Sequence, residues 1–128
     1  MSKYIIAGGR DFNNYSIVCE VLDKYNDIDE IVSGDARGAD TQGIMYANQY
    51  NIPIQHFPAQ WNLYGNNAGF IRNAEMADYA DAAIVFWDGK SRGTKNMIQA
   101  MKFRKKPCDI YNYQGESIKK KWLDILNI

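Results

Sequence analysis

Arg10, Arg37 and Arg92 each lie in a short glycine-rich loop. The loops are Gly8-Gly9-Arg10-Asp11, Ser33-Gly34-Asp35-Ala36-Arg37-Gly38-Ala39-Asp40 and Asp88-Gly89-Lys90-Ser91-Arg92-Gly93-Thr94. Guanidinium groups bind phosphate through paired, charge-assisted hydrogen bonds. Glycine lets the backbone approach a ligand, and the free N–H groups and dipole of a following helix favour an anion. One such loop is an ordinary turn, because glycine punctuates all chains. Three of them, each with an Arg or Lys, predict one nucleotide-like pocket.

Within the first loop, Gly8 and Gly9 would face the ligand. Arg10 would reach a phosphate, or form an exposed ion pair with Asp11. In the second, Ser33 caps the turn or bonds a phosphate oxygen, Gly34 and Gly38 free the backbone, and Arg37 adds charge. Asp40 caps the next helix or accepts from a ribose hydroxyl, and capping is the simpler role. Ser33 is not read as a nucleophile, since that needs an adjacent base. The sole histidine, His56, falls in a strand and is read as structural. Trp61 and Tyr64 could stack on a nucleobase or pin their loop to the core. Arg72 is either a solvated helix arginine or a ligand contact, and Asn73 could bond a base or ribose. In the third loop Asp88, Gly89, Ser91 and Arg92 precede Gly93 and Thr94, whose position at a helix start suits phosphate. The GxxxxGK[ST] and GxGxxG spacings are absent, as are HExxH and paired CxxC motifs. Neither a metal nor a cofactor is expected.

The elements that must position these residues alternate regularly. Short apolar strands are predicted at Tyr4 to Ala7, Ile28 to Ser33, Pro53 to Phe57, Ala82 to Trp87 and Cys108 to Tyr113. Between them lie helical stripes. Val18, Val21, Leu22 and Tyr25 mark the first, capped by Asn13 or Asn14. Gly38 to Asn51 is the second, with Ala39, Gly43 and Ala47 as a small-residue face. Residues 58–67 read as a long polar and aromatic loop, followed by a helix from Ala68 to Tyr79. Thr94, Met97, Ile98 and Met101 stripe the next helix, which ends before Pro107. Ile118, Trp122, Ile125 and Leu126 stripe a last one. Alternating strands and helices imply one Rossmann-like α/β/α domain with a mainly parallel five-stranded sheet. Ligands of such sheets bind at the carboxyl ends of the strands, where all three glycine loops would open.

The chain of 128 residues balances 15 basic against 15 acidic side chains. Net neutrality argues against nucleic acid and membrane as partners, so attraction for anions must be local. Arg10, Arg37, Arg72, Lys90 and Arg92, in or beside the loops, provide it. Cys19 and Cys108 lack metal spacing and are read as reduced core residues. Met1-Ser2-Lys3 leads straight into a strand, too short for a secretory leader, so a cytoplasmic protein is expected.

Taken together, Ala7-Gly8-Gly9-Arg10-Asp11-Phe12, Val32 to Asp40, Phe57-Pro58-Ala59, Tyr64-Gly65, Arg72-Asn73 and Phe86 to Thr94 resemble the SLOG superfamily of Rossmann-like nucleotide-binding proteins. The likeness is to its small YspA/YpsA-related branch of bacteria and phages. Three roles follow from that resemblance. Lonely-guy phosphoribohydrolases cleave the N-glycosidic bond of nucleoside monophosphates, which would make Arg72 catalytic or phosphate-anchoring. The glutamate that ends their glycine-loop motif falls on Met97 here, and a thioether carries no proton. DNA-processing protein A binds single-stranded DNA and is similar only in the second loop. Other SLOG domains sense nucleotide-derived signals such as cyclic ADP-ribose isomers, which requires a phosphate cradle and no catalytic acid. The expectation is therefore a sensor or sponge for a nucleotide-like molecule, without turnover. The alternatives are a nucleotide N-glycosidase and a single-strand nucleic-acid module. Relatives dimerise, which implies a homo-oligomer.

Overall fold

The structure, a computed structural model, describes residues 2–118. Five strands form one sheet in the order β3-β2-β1-β4-β5: β1 (Ser2–Gly8), β2 (Ile28–Ser33), β3 (Ile54–His56), β4 (Ala82–Phe86) and β5 (Cys108–Tyr111). Every pairing is parallel, with Ile5 opposite both Val32 and Ala83. Strand β4 is buried along its whole length, as its unbroken apolar run demands of a strand covered on both faces.

Side chains alternate across the sheet and divide the core in two. Tyr4, Ile6, Ile84 and Phe86 face α1 (Tyr15–Leu22) and α2 (Ala39–Gln49). Ile5, Ala7, Val32, Ala83 and Val85 face α4 (Ala68–Tyr79) and α5 (Arg92–Phe103). The result is a Rossmann-like three-layer α/β/α sandwich. The cysteines pack against different cores, Cys19 on the α1–α2 side and Cys108 on the α4–α5 side. Burial, with Asp109 nearby, pushes the Cys108 thiol up to about 12, so it stays protonated and unreactive.

Local chemistry sets the helix positions. The Asn14 side chain accepts from the Ile17 N–H and starts α1. Helix α1 ends at Leu22, so Tyr25 lies beyond it, yet Tyr25 still packs edge-on against Tyr4 at 5.5 Å. The small face of α2 works as expected: a Cβ at Gly43 would come within 2.8 Å of Ile6, so glycine lets the helix sit on β1. The segment 58–67 is not a plain loop. It folds into a single helical turn α3 (Trp61–Tyr64) and a 3-10 turn (Gly65–Asn67) leading directly into α4. Strand β5 stops at Tyr111, and the chain turns back so that Tyr111 bridges Ser117. Ile118 is not helical, and the rest of the proposed final stripe, with Trp122, lies outside the described residues. No helix among the described residues is long and apolar enough to cross a membrane.

Candidate functional site

Strands β1 and β4 are neighbours, but the connections after them leave to opposite faces of the sheet. Their carboxyl ends therefore diverge and leave a crevice, the usual ligand position in an open parallel sheet. A cavity of about 470 Å³ lies there. Gly8, Gly9 and Arg10 from the first loop line it, with Asp88, Ser91, Gly93 and Thr94 from the third, and Asp40, Arg72 and Asn73 from α2 and α4. Ala7, Met76 and Met97 add apolar lining, and Trp61 and Phe70, each about half exposed, stand beside it.

The three glycine loops are tied to one another. The Gly9 N–H donates to the Phe86 carbonyl at 3.1 Å, and the Gly9 carbonyl accepts from Phe12 and Ala39, both at 3.2 Å. Gly38 has φ +77°, and a Cβ there would sit on the Gly9 carbonyl oxygen. Only glycine permits both the left-handed backbone and the close approach. Gly34 is crowded for a different reason: it lies against the Arg72 guanidinium and the Asp40 carboxylate.

Arg72 is buried. Its Nη1 donates to the Gly34 carbonyl and its Nε to Asn73 Oδ1 at 3.1 Å. The Asn73 Nδ2 donates in turn to the Gly93 carbonyl at 3.2 Å and to Asn96 Oδ1 at 2.9 Å. One relay thus runs from the second loop through α4 to the third. Glu75, on the next turn of the helix, is exposed and takes no part in it. Burial lowers the Arg72 pKa, with Arg10 adding to the effect, while Asp40 and Asp35 oppose it. Asp40 does not cap α2. Its carboxylate accepts from the Ala36 N–H at 3.2 Å and braces the loop. Burial pushes Asp40 up to about 6, against the pull of the Ala36 N–H and Arg72.

At the head of α5, the Ser91 side chain accepts from the Thr94 N–H and caps the helix. The Asp88 carboxylate accepts from the N–H groups of Lys90 and Ser91, both at 2.8 Å. Burial raises Asp88, but backbone N–H groups, those of Ser91 and Lys90 first, together with the Lys90 charge hold the carboxyl below its usual range. Asp11 is not paired with Arg10; it accepts from the Tyr113 hydroxyl at 2.6 Å.

Several expected residues stand elsewhere. Gly34 and Arg37 line an adjoining lobe, and Gly38 faces the far side of its loop. Ser33 is fully buried and accepts from the Asp35 N–H, so it shapes the turn. Gly89, Lys90 and Arg92 line neither the cavity nor that lobe, and Lys90 and Arg92 are exposed. His56 is bonded to Asp35 at 2.6 Å and fastens the second loop to β3. Tyr64 does not line the cavity either. Asn66, Gly69 and Phe70, not anticipated from the sequence, do line it. Gly69 falls with Arg72, Asn73 and Met76 at the i, i+3, i+4, i+7 spacing of one face of α4, with Phe70 beside it, a signal that could have found these two. Met97 was expected in the apolar stripe of its helix and, from the resemblance, at the position of the missing acid. It is buried and also lines the cavity.

Fold and crevice define a Rossmann-like domain with a glycine-loop cleft between its diverging central strands. Residues 3–64 match the YspA, cpYpsA-related SLOG family, so the resemblance read from the sequence is borne out. The Gene 61 protein of Mycobacterium phage D29 is 29% identical over 111 residues, covering 77% of this chain and 87% of the phage protein. A phage relative fits the bacterial and phage branch of that family. No solved structure matches the chain significantly.

Proposed function

We propose that this protein binds a nucleotide or nucleotide-derived signal in the cleft and acts as a sensor or sponge rather than by turnover. The observation that carries this reading is the relay Gly34–Arg72–Asn73–Gly93, which braces two glycine loops beside a third around one cavity. A braced cleft spares its ligand the free energy of ordering loops. The phosphate would lie at the first turn of α5, beside the Gly8-Gly9 turn, where the helix's leading N–H groups and dipole favour negative charge. Trp61 and Phe70 offer faces on which a base can stack. Family resemblance supports a nucleotide-related ligand and no finer identity. The reading goes with a cytoplasmic homo-oligomer, whose size gel filtration with light scattering would measure.

Thermal-shift and calorimetric titration against nucleotides of all bases tests the proposal. Saturable 1:1 binding that weakens in Trp61→Ala is expected. Binding of none of them, or affinity unchanged in Trp61→Ala and Arg72→Lys alike, would remove the cleft as the site.

A second reading, a nucleotide N-glycosidase, has one observation in its favour. Asp40 and Asp88 line the cavity, so carboxylates are present although Met97 replaces the expected acid. Asp40, at about 6, suits proton transfer near neutral pH. Incubation with AMP, GMP, CMP, UMP and IMP followed by chromatography decides between the readings. No free base is expected. Multiple turnovers that vanish in Asp40→Asn would make the protein an enzyme.

A further inference from the structure

Beside the main cavity lies a lobe of about 340 Å³, and the two share Arg10, Ala36, Trp61 and Arg72. The lobe is lined by three arginines, Arg10, Arg37 and Arg72, and by a single carboxylate, Asp35, whose Oδ1 is bonded to His56. Arg10 and Arg37 make no ion pair or hydrogen bond among the described residues. Arg72 is buried, with Arg10 near enough to disfavour its charge. Asp40 and Asp35 offset the Arg72 charge in part, but Arg10 and Arg37 have no carboxylate partner, and an anion placed among the three guanidinium groups would supply the missing counter-charge. The main cavity has the opposite balance. Asp11, Asp40 and Asp88 line it against Arg10 and Arg72 alone, and carboxylates accept hydrogen bonds from sugar hydroxyls.

From this separation of charge we infer that the ligand carries a second phosphoryl group, distinct from the one at the first turn of α5, held by Arg10, Arg37 and Arg72. The ligand class is a nucleotide phosphorylated at two positions of its sugar. The sugar would pass beneath Trp61, which borders both spaces. The inference rests on the nucleotide-binding reading above and narrows it.

The test is calorimetry with purified full-length protein against 5′-monophosphates, 5′-diphosphates, and 2′,5′- and 3′,5′-bisphosphates of adenosine, guanosine, cytidine and uridine. A short single-stranded oligonucleotide is included, together with the variants Arg10→Gln and Arg37→Gln. Both substituted side chains are exposed, and circular dichroism checks that the variants fold. For at least one base, a bisphosphate should bind about tenfold or more tightly than its 5′-monophosphate, the scale of one added charge-assisted contact. Each substitution should narrow that gap to less than about threefold. Monophosphates binding as tightly as every bisphosphate would overturn the inference and leave the nucleotide reading standing. So would a gap that both variants preserve, or an oligonucleotide that outbinds every small nucleotide. Absence of all nucleotide binding would overturn both.

Discussion

Asp40 is a buried carboxylate, and its ionisation should be legible in stability. Its folded value of about 6 stands above the ordinary 3.8, first because of burial. The folded chain therefore keeps a proton that the unfolded chain releases. The resulting stabilisation is full below pH 3.8 and is lost as pH rises through 6. Asn at this position can still accept from the Ala36 N–H but does not titrate. The melting temperature of Asp40→Asn, relative to the parent, should climb between about pH 4 and pH 8. A constant difference across that range would show that Asp40 ionises as it does in water. Arg72, read from the sequence as a solvated helix arginine or a ligand contact, is buried and also holds the fold. Arg72→Ala strips the Gly34 carbonyl of its charged partner and leaves Asp40 without a nearby cation. Removing a buried partner of this kind costs about 1–3 kcal/mol. Urea denaturation should register that loss, with Arg72→Lys recovering part of it.

At the scale of elements, the second loop depends on one conformation that its sequence displays openly. Gly38 combines φ +77° with no room for a Cβ, because the Gly9 carbonyl occupies the space. Gly38→Ala would combine left-handed strain of about 1–2 kcal/mol with a backbone clash. We expect it to lower the urea midpoint far more than Gly93→Ala, where a Cβ meets nothing within 4 Å. The strands and the four longer helices were legible because apolar periodicity and glycine or proline boundaries coincide. Strand β2 and helix α4 match their predicted bounds, Ile28–Ser33 and Ala68–Tyr79. The turn at Trp61–Tyr64 was not legible. Four residues are too few for a period, and helical nucleation that short depends on tertiary support. Its Trp61 is half exposed, so Trp61→Ala should change stability by less than about 1 kcal/mol. Affinity for a bound nucleotide should fall by about 1–3 kcal/mol if a base stacks there.

Across the whole molecule, the sequence revealed where the cleft would open but not which loop residues would face it. Parallel strands followed by glycine turns must gather those turns at one edge, and topology alone gives that result. Facing is decided by tertiary packing. Ser33 and Asp40 have the same polar character on paper, yet one is sealed beneath its turn and the other borders the cavity. Net charge was equally uninformative about detail, since a neutral total conceals an arginine-lined lobe beside an acid-bearing one. The Gly9 peptide has a consequence for motion. Its N–H is engaged by the end of β4, and its carbonyl holds the Phe12 and Ala39 N–H groups. Loop, sheet and helix can separate only together, so those three amide protons should exchange with deuterium as slowly as the amides of β4. They should do so before any ligand is added. A cleft fixed in that manner has no closing step, and in stopped-flow mixing the observed rate should rise linearly with ligand concentration and show no plateau.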